Sequence, residues 1–563
     1  MPSQRGAESA AGLWPANRPI SRRRIISLGA AGAALGLAAC GRRATKSGSS
    51  AGQSGKAPTP QQGGVLRLRT VKDFFDFDSS GAGKSSPNAS ATTLVYETLV
   101  GFRRGAGLAY TDMQTVPRLA QSWETPDAQT FTFRLQPGVK WVNLAPVNGR
   151  PLTSADVKWT LEYASRTGAF VGNKKLPSPG FGILLDGLKG VQTPDDQTLV
   201  VQFDQPYAPF INYSFDRGLQ IVPHEIFDQD GSLSNRMAGT GPFQLDQASS
   251  QHGSKWVFRK NAGYWQSGRL YLDEIDYLVV PDDASAYAAF QTGQLDILQG
   301  LVDAKAAAVV QRASPTAGMQ QFAFPSAHGV FMNEAHPPFN DPRMRRAVAL
   351  SLDHDEFDRT FGAGKGQWPA TCALPDWLSQ QEVHQLLPYD PTQAKQLLSA
   401  AGYPNGLSME YLDKTPQYEA ENVLLQAQLK RVGITMSIQP TDAAGASTAL
   451  HTGKFTLYPT TNGIEGDMDY LLYENYYSKS TGDYTGTVDP KLDSMLAGQR
   501  RETDATKRLA LLKDISRYMT ANSFQLDLYY PIEFTFWAAK VNGYLDHWQQ
   551  DDYNAPNVWL QPS

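Results

Sequence analysis

The sequence predicts a protein of interleaved α-helices and β-strands, α/β or α+β in class. Two patterns carry this. Short runs have strand character: Leu66 and Leu68 alternate with Arg67 and Arg69, and Thr130–Leu135 (TFTFRL) and Thr198–Phe203 (TLVVQF) are rich in β-branched and aromatic residues. Other stretches carry helix starts. Asp390-Pro391 supplies an N-cap and a first-turn proline, Ala394, Leu397, Leu398 and Ala401 follow at helical spacing, and Gly402 closes the run. Asp341-Pro342 opens another helix with Met344, Ala347, Val348 and Ser351 on one face, and Thr153-Ser154-Ala155-Asp156 reads as a capping box.

The 563 residues suggest about three or four domain-sized units. With 41% hydrophobic and 11% aromatic residues, the chain can build a large core. Its charge is unevenly placed. Removing the nine basic residues and one acidic residue of 1–64 from the totals of 51 and 55 leaves 42 against 54, a balance of −12 for the body. Such a field repels phosphate backbones, so nucleic acid is not an expected partner.

The basic excess lies at the N-terminus. Ser21-Arg22-Arg23-Arg24 precedes an apolar, small-residue run from Ile25 to Ala39, shorter than a comfortable bilayer span but suited to a signal h-region. Leu37-Ala38-Ala39-Cys40-Gly41 follows. Residues 41–64, rich in Gly, Ser, Gln, Ala and Pro, read as a tether. No later segment approaches eighteen continuous apolar residues, so the body is expected to be soluble. With Cys40 set aside, Cys372 has no partner for an intramolecular disulfide and is expected to be a buried small hydrophobe.

The arginine pair and the run ending at Cys40 resemble a twin-arginine export signal with a lipobox, which implies cleavage before Cys40, acylation of its sulfur and a lipid anchor on the outer face of the membrane. A series of blocks in the body, in order, resembles the family 5 extracellular solute-binding proteins of ABC importers, which take peptides, nickel or oligosaccharides. They are LVYETL at 94–99, VPRLAQSWETPDAQTFTFRL at 116–135, PGVKW at 137–141, LTSADVKW at 152–159, GTGPF at 239–243 with KNAGYW at 260–265, FQTGQLDI at 290–297, PPFNDPRMRRAVALSL at 337–352 and YDPTQAKQLLSAAG at 389–402. The similarity runs from about residue 63 to the end.

The resemblance implies an α/β, bilobal periplasmic-binding-protein-like clamp, of the large type II class with an inserted subdomain. Signal peptide 1–39 and tether 40–62 would precede a first lobe made of 63–102, 213–325 and 533–563. Residues 103–212 would be the insert and 326–532 the second lobe, with chain crossings near Phe322–Phe331 and Tyr529–Phe536. Two adjacent crossings act as a hinge, so lobe closure can bury a solute. The expected partners are a peptide or other small solute, the permease subunits of an ABC importer and the membrane through the lipid anchor. The protein is expected to act as an exported monomer.

Tyr458–Leu472 (YPTTNGIEGDMDYLL) occupies the family's solute-binding strand and loop. In peptide binders a tryptophan and an aspartate there read the α-ammonium group; the matching positions here are Thr461 and Ile464. Asn462, Glu465, Asp467 and Asp469 are the candidate polar contacts, against the plain alternative of a polar loop tip. Asn88, which the resemblance implies to lie in the loop before a helix through LVYETL, together with Trp368 and Tyr484, completes the candidate site, each equally readable as core packing. The departures from the amine-reading pattern keep an oligosaccharide binder open. A nickel chelate held by a lone histidine also stays open.

Enzyme signatures are weak. Gly48-Ser49-Ser50-Ala51-Gly52 fits G-x-S-x-G but lies in the tether, Gly81–Ser85 lacks the first glycine of a P-loop, and His224-Glu225 lacks its second histidine. Asp228-Gln229-Asp230-Gly231 reads as a turn, and eight scattered histidines make no metal cluster. No cofactor and no catalytic group are expected, and an extracytoplasmic hydrolase is the disfavoured rival.

Replacing Arg22 and Arg23 together by lysine is expected to block export, and Cys40→Ala to leave the product unlipidated. Cell fractionation and metabolic labelling with a fatty acid read the two effects; normal export of the paired variant would remove the twin-arginine assignment.

Overall fold

The computed structural model describes residues 59–80, 86–103, 114–173, 176, 182–215, 217–301, 304–362, 364, 367–413, 418–461, 466–480, 482, 484–545 and 552–562. Arg22, Arg23, Cys40, Asn462 and Glu465 lie outside them.

Val65–Thr70 forms the edge of a first sheet. Leu66 and Leu68 are buried while Arg69 on the other face pairs with Asp283 at 2.6 Å. This strand runs parallel to Glu274–Val279, which pairs antiparallel with Lys255–Lys260, and that in turn with Phe243–Leu245. An antiparallel sheet ordered Ala120–Glu124, Thr130–Leu135, Thr198–Phe203 and Leu188–Asp195 is packed by the helix Ser154–Ser165. Asp156 accepts from Thr153 N at 2.9 Å, as the capping pattern predicts.

A second sheet is ordered Ile434–Pro440, Leu407–Asp413, Leu457–Thr461, His328–Met332 and Gln525–Tyr529. Its first three strands are parallel, and His328–Met332 runs against both its neighbours. The carboxyl ends of four strands and the amino end of His328–Met332 therefore lie along one edge. Helices Pro342–Leu350 and Pro391–Ala400 pack on each other beside this sheet, capped by Asp341 and Asp390, which accept from Arg343 N at 2.9 Å and Gln393 N at 2.8 Å. Ser351, expected on the first helix's inner face, is its buried C-cap.

A three-stranded sheet links these parts, with Ile532–Trp537 between Ile297–Leu301 and Gly318–Ala323. The chain passes from it to the second sheet twice, through 324–327 and through 530–531. The two passages touch: Phe324 N donates to Pro531 O at 2.8 Å.

The LVYETL block is not one helix. The helix Ser86–Val95 stops at Val95, whose carbonyl accepts from Gly241 N at 2.8 Å. Glu97 beyond it is buried and accepts from Tyr264 at 3.1 Å and from Trp265 at 3.0 Å. Burial raises the Glu97 pKa more than Trp265 and the nearby Arg118 lower it. This explains the GTGPF glycines by a route other than turn geometry. Neither Gly239 nor Gly241 has a positive φ; a Cβ on Gly239 would lie 1.8 Å from Val95 O, and one on Gly241 2.6 Å away.

Gly239→Ala is therefore expected to destabilise the fold by about 3 kcal/mol or more, since backbone rather than a side chain must yield. Gly190→Ala, whose Cβ meets nothing within 4 Å, is the control and is expected to cost under about 1 kcal/mol. Denaturant titration measures both, and equal midpoints would refute the close-approach account.

Candidate functional site

In an open α/β sheet, ligands gather outside the carboxyl ends of the strands. The second sheet turns that edge toward the two passages. A small cavity, with about 10 Å³ open to the centre of a water-sized sphere, lies there, lined by Pro325 and Ala327 of the first passage, by Ala370, Cys372 and Ala373, and by Met468 and Leu471 of the helix Met468–Tyr476. Its lining is apolar.

A buried carboxyl group lies close to this cavity. Asp527, on Gln525–Tyr529, accepts from Gln525 Nε2 at 2.5 Å, and burial pushes its pKa up to about 7 against the opposing hydrogen bonds from Gln525 and Thr371. Cys372, at φ 50°, is a buried free thiol whose pKa is raised by burial and by the Asp527 charge. A thiol held protonated in this way is a poor nucleophile.

Thr461 ends the strand Leu457–Thr461 exposed on the edge, with His328 beside it across the ladder. Asp467 and Asp469 point elsewhere. Asp467 caps the helix Met468–Tyr476 through Asp469 N at 2.9 Å, pairs with both terminal nitrogens of Arg508 at 2.6 and 2.7 Å, and accepts from Asn212 at 2.7 Å. Burial raises its pKa, but the Arg508 charge and these hydrogen bonds outweigh that and hold it below the usual range. Asp469, fully buried, takes Arg500 Nη2 at 2.8 Å and Tyr213 Oη at 2.9 Å, and Gln499 as well. Arg500 also reaches Asp186 at 3.0 Å, and its carbonyl accepts from Ala208 N at 2.8 Å. Both carboxylates thus tie the helical region after the strand Leu457–Thr461 to residues 186–213.

The remaining candidates are dispersed. Asn88 is not in a loop but in the first turn of Ser86–Val95, buried, with Oδ1 accepting from Phe75 N at 3.0 Å. Trp368 packs between His354 and His384, and its indole donates to Asp355 Oδ1 at 2.7 Å. Tyr484 is half-buried with its ring 5.1 Å from that of His451. Sequence reasoning missed Arg500, Arg508, Asn212 and Tyr213, which no local motif marks. Among the described residues no group of three His, Cys, Asp or Glu could hold a metal ion, and no helix is long and apolar enough to cross a membrane.

Residues 114–483 match the bacterial extracellular solute-binding proteins, family 5 Middle. The chain belongs to this family. Among its relatives, the glutathione-binding protein GsiB of Pectobacterium atrosepticum is 26% identical over 460 residues, 78% of this chain and 84% of the relative. GsiB of Salmonella typhi is 26% identical over 465 residues with the same coverage. The ABC transporter-associated periplasmic binding protein DppA of Helicobacter pylori, solved with the peptide STSA, superposes with a TM-score of 0.72 at 21% identity, covering 89% of this chain and 99% of its own. The oligopeptide-binding protein AppA of Bacillus subtilis, solved with a nonapeptide, gives 0.70 at 19% identity, covering 90% and 100%. This family 5 protein thus has the α/β, bilobal clamp fold of the periplasmic binding proteins.

Asp527 makes the stability of this solute-binding protein depend on pH. Its folded pKa, about 7, lies above its unfolded value, so its contribution is fully present below about pH 4 and is lost as pH rises through 7. Three pKa units set an upper bound of about 4 kcal/mol. Asp527→Asn is expected to flatten the fall in stability between pH 5 and pH 8; an unchanged slope in denaturant titrations would refute the assignment.

Proposed function

We propose that this chain is the exported, lipid-anchored solute-binding component of an ABC importer, and that it captures a peptide or comparable small organic solute and hands it to the permease. The observation that carries this reading is the pair of touching passages between the linking sheet and the second sheet, with an apolar cavity and the carboxyl-end edge beside them. Two short connections side by side form a hinge about which lobes can rotate. We assign the first lobe to 63–102, 213–325 and 533–563, the insert to 103–212 and the second lobe to 326–532.

The solute class is supported by the relatives named for glutathione binding and by the neighbours solved with peptides. Export and anchoring are supported by the Arg22-Arg23 pair and by Cys40 at the end of the apolar run. The protein acts as a monomer that binds without turnover. The Tyr458–Leu472 segment contributes through Thr461, Asn462 and Glu465, while Asp467 and Asp469 serve closure by holding the 186–213 stretch.

The solute that co-purifies, released by denaturation and identified by mass spectrometry, is expected to be a short peptide. Small-angle scattering is expected to show a smaller radius of gyration once that solute saturates the stripped protein. A neutral sugar in the spectrum would replace the peptide reading with an oligosaccharide one, and an unchanged radius at saturation would remove the clamp.

A further inference from the structure

Thr461, His328 and Tyr529 form one row across three strands of the second sheet. His328 stands opposite Thr461 on one side and opposite Tyr529 on the other. Directly opposed residues share a face of the sheet, so the three side chains line up at the edge next to the first passage. The row is open at Thr461, which is exposed, and buried at Tyr529.

The helix Glu419–Arg431 brings Glu421 onto this row from its first turn, where the helix dipole favours a carboxylate. His328 Nδ1 lies 3.0 Å from Glu421 Oε2 and 2.9 Å from Tyr529 Oη, and Tyr529 donates to Glu421 Oε1 at 2.5 Å. The Tyr418 ring stands edge-on to the imidazole at 5.1 Å. The side chains of His328 and Glu421 keep 19% and 12% of their surface accessible. With Nδ1 directed at Glu421, Nε2 is the ring nitrogen that no described residue hydrogen-bonds. Among the described residues, neither lysine nor arginine pairs with Glu421. The phenol groups around it sense the same excess: burial and then the Glu421 charge raise the Tyr529 pKa, and burial, Asp413 and Glu421 raise that of Tyr411.

A carboxylate and a histidine, gathered beside the passages with no lysine or arginine of the described residues paired to Glu421, make a receptor for positive charge. We propose that Glu421, His328 and Tyr529, with Thr461 at the open end, form a subsite that takes a cationic group of the solute, an ammonium or a guanidinium. The inference rests on the peptide reading of the cleft and adds to it the charge that the second sheet selects. Glu421 and His328 contact the cation; Tyr529 is a positioning residue that holds the carboxylate.

The test is calorimetry on the full chain with three probes: trialanine, N-acetyl-trialanine and N-acetyl-Ala-Arg-Ala. The wild type is expected to bind at least one of the two cationic probes about tenfold or more tightly than N-acetyl-trialanine, and which one it prefers distinguishes a chain-end ammonium from a side-chain guanidinium. Glu421→Gln is expected to remove most of that preference. Thr461→Lys, at an exposed position that leaves the core intact, is expected to do the same by placing a positive charge at the open end. Tyr529→Phe keeps the ring and is expected to weaken the preference partially. Melting temperatures confirm that each variant is folded.

A wild type without preference for the cationic probes overturns the subsite. So does a preference that survives in both Glu421→Gln and Thr461→Lys, while the peptide reading then stands. Binding of maltotriose with no binding of any of the three peptides overturns both.

Discussion

The hydrogen bond from Phe324 N to Pro531 O sits where the whole architecture narrows to two strands of chain. Ile532–Trp537 is the middle strand of the linking sheet, and Gln525–Tyr529, only two residues earlier, is the edge strand of the second sheet. A connection this short gives the second sheet no choice of orientation. The end of Gln525–Tyr529 and the start of His328–Met332 must face the passages, and the parallel pairing then brings the ends of Leu407–Asp413, Ile434–Pro440 and Leu457–Thr461 to the same edge. Groups far apart in sequence, such as His328, Glu421, Thr461 and Tyr529, meet there because the ladder registers leave them no other place.

Charge is handled in two ways around this edge. Asp467 and Asp469 are buried, but each is met by an arginine in addition to neutral donors, so the cost of removing them from water is offset. Removing one partner of such a pair typically costs about 3–5 kcal/mol, which makes the junction between 467–508 and 186–213 a specific one. Glu421 has the opposite arrangement: its described partners are a histidine and a phenol, and part of its side chain stays accessible. Its charge therefore remains expressed at the edge. The net −12 of the body adds a long-range field of the same sign, which draws cations toward the protein.

Much of the scaffold was legible because it is written in local chemistry. Leu66 and Leu68, the TFTFRL run and the caps at Asp156, Asp341 and Asp390 formed the elements their patterns predict, since period and capping need only neighbours a few residues away. The ordered blocks identified the family for the same reason. Where reading stopped short, a distant contact decided. The helix predicted through LVYETL ends at Val95 because Gly241, nearly 150 residues on, takes its carbonyl. Asn88, expected in a loop, is drawn into a helix and spent on Phe75 N.

The sequence by itself determined the class of fold and the family, because each is marked by residues close together along the chain. Only the tertiary structure decided how the charges are used. Asp467 and Glu421 are both carboxylates at helix starts with another carboxylate two residues away, and nothing nearby in the sequence separates their roles. One is buried against Arg508 and Asn212, and the other stands beside His328 at an open edge. A carboxylate's function follows from which donors surround it and how much water remains, and both are set by packing between segments 41 to 255 residues apart.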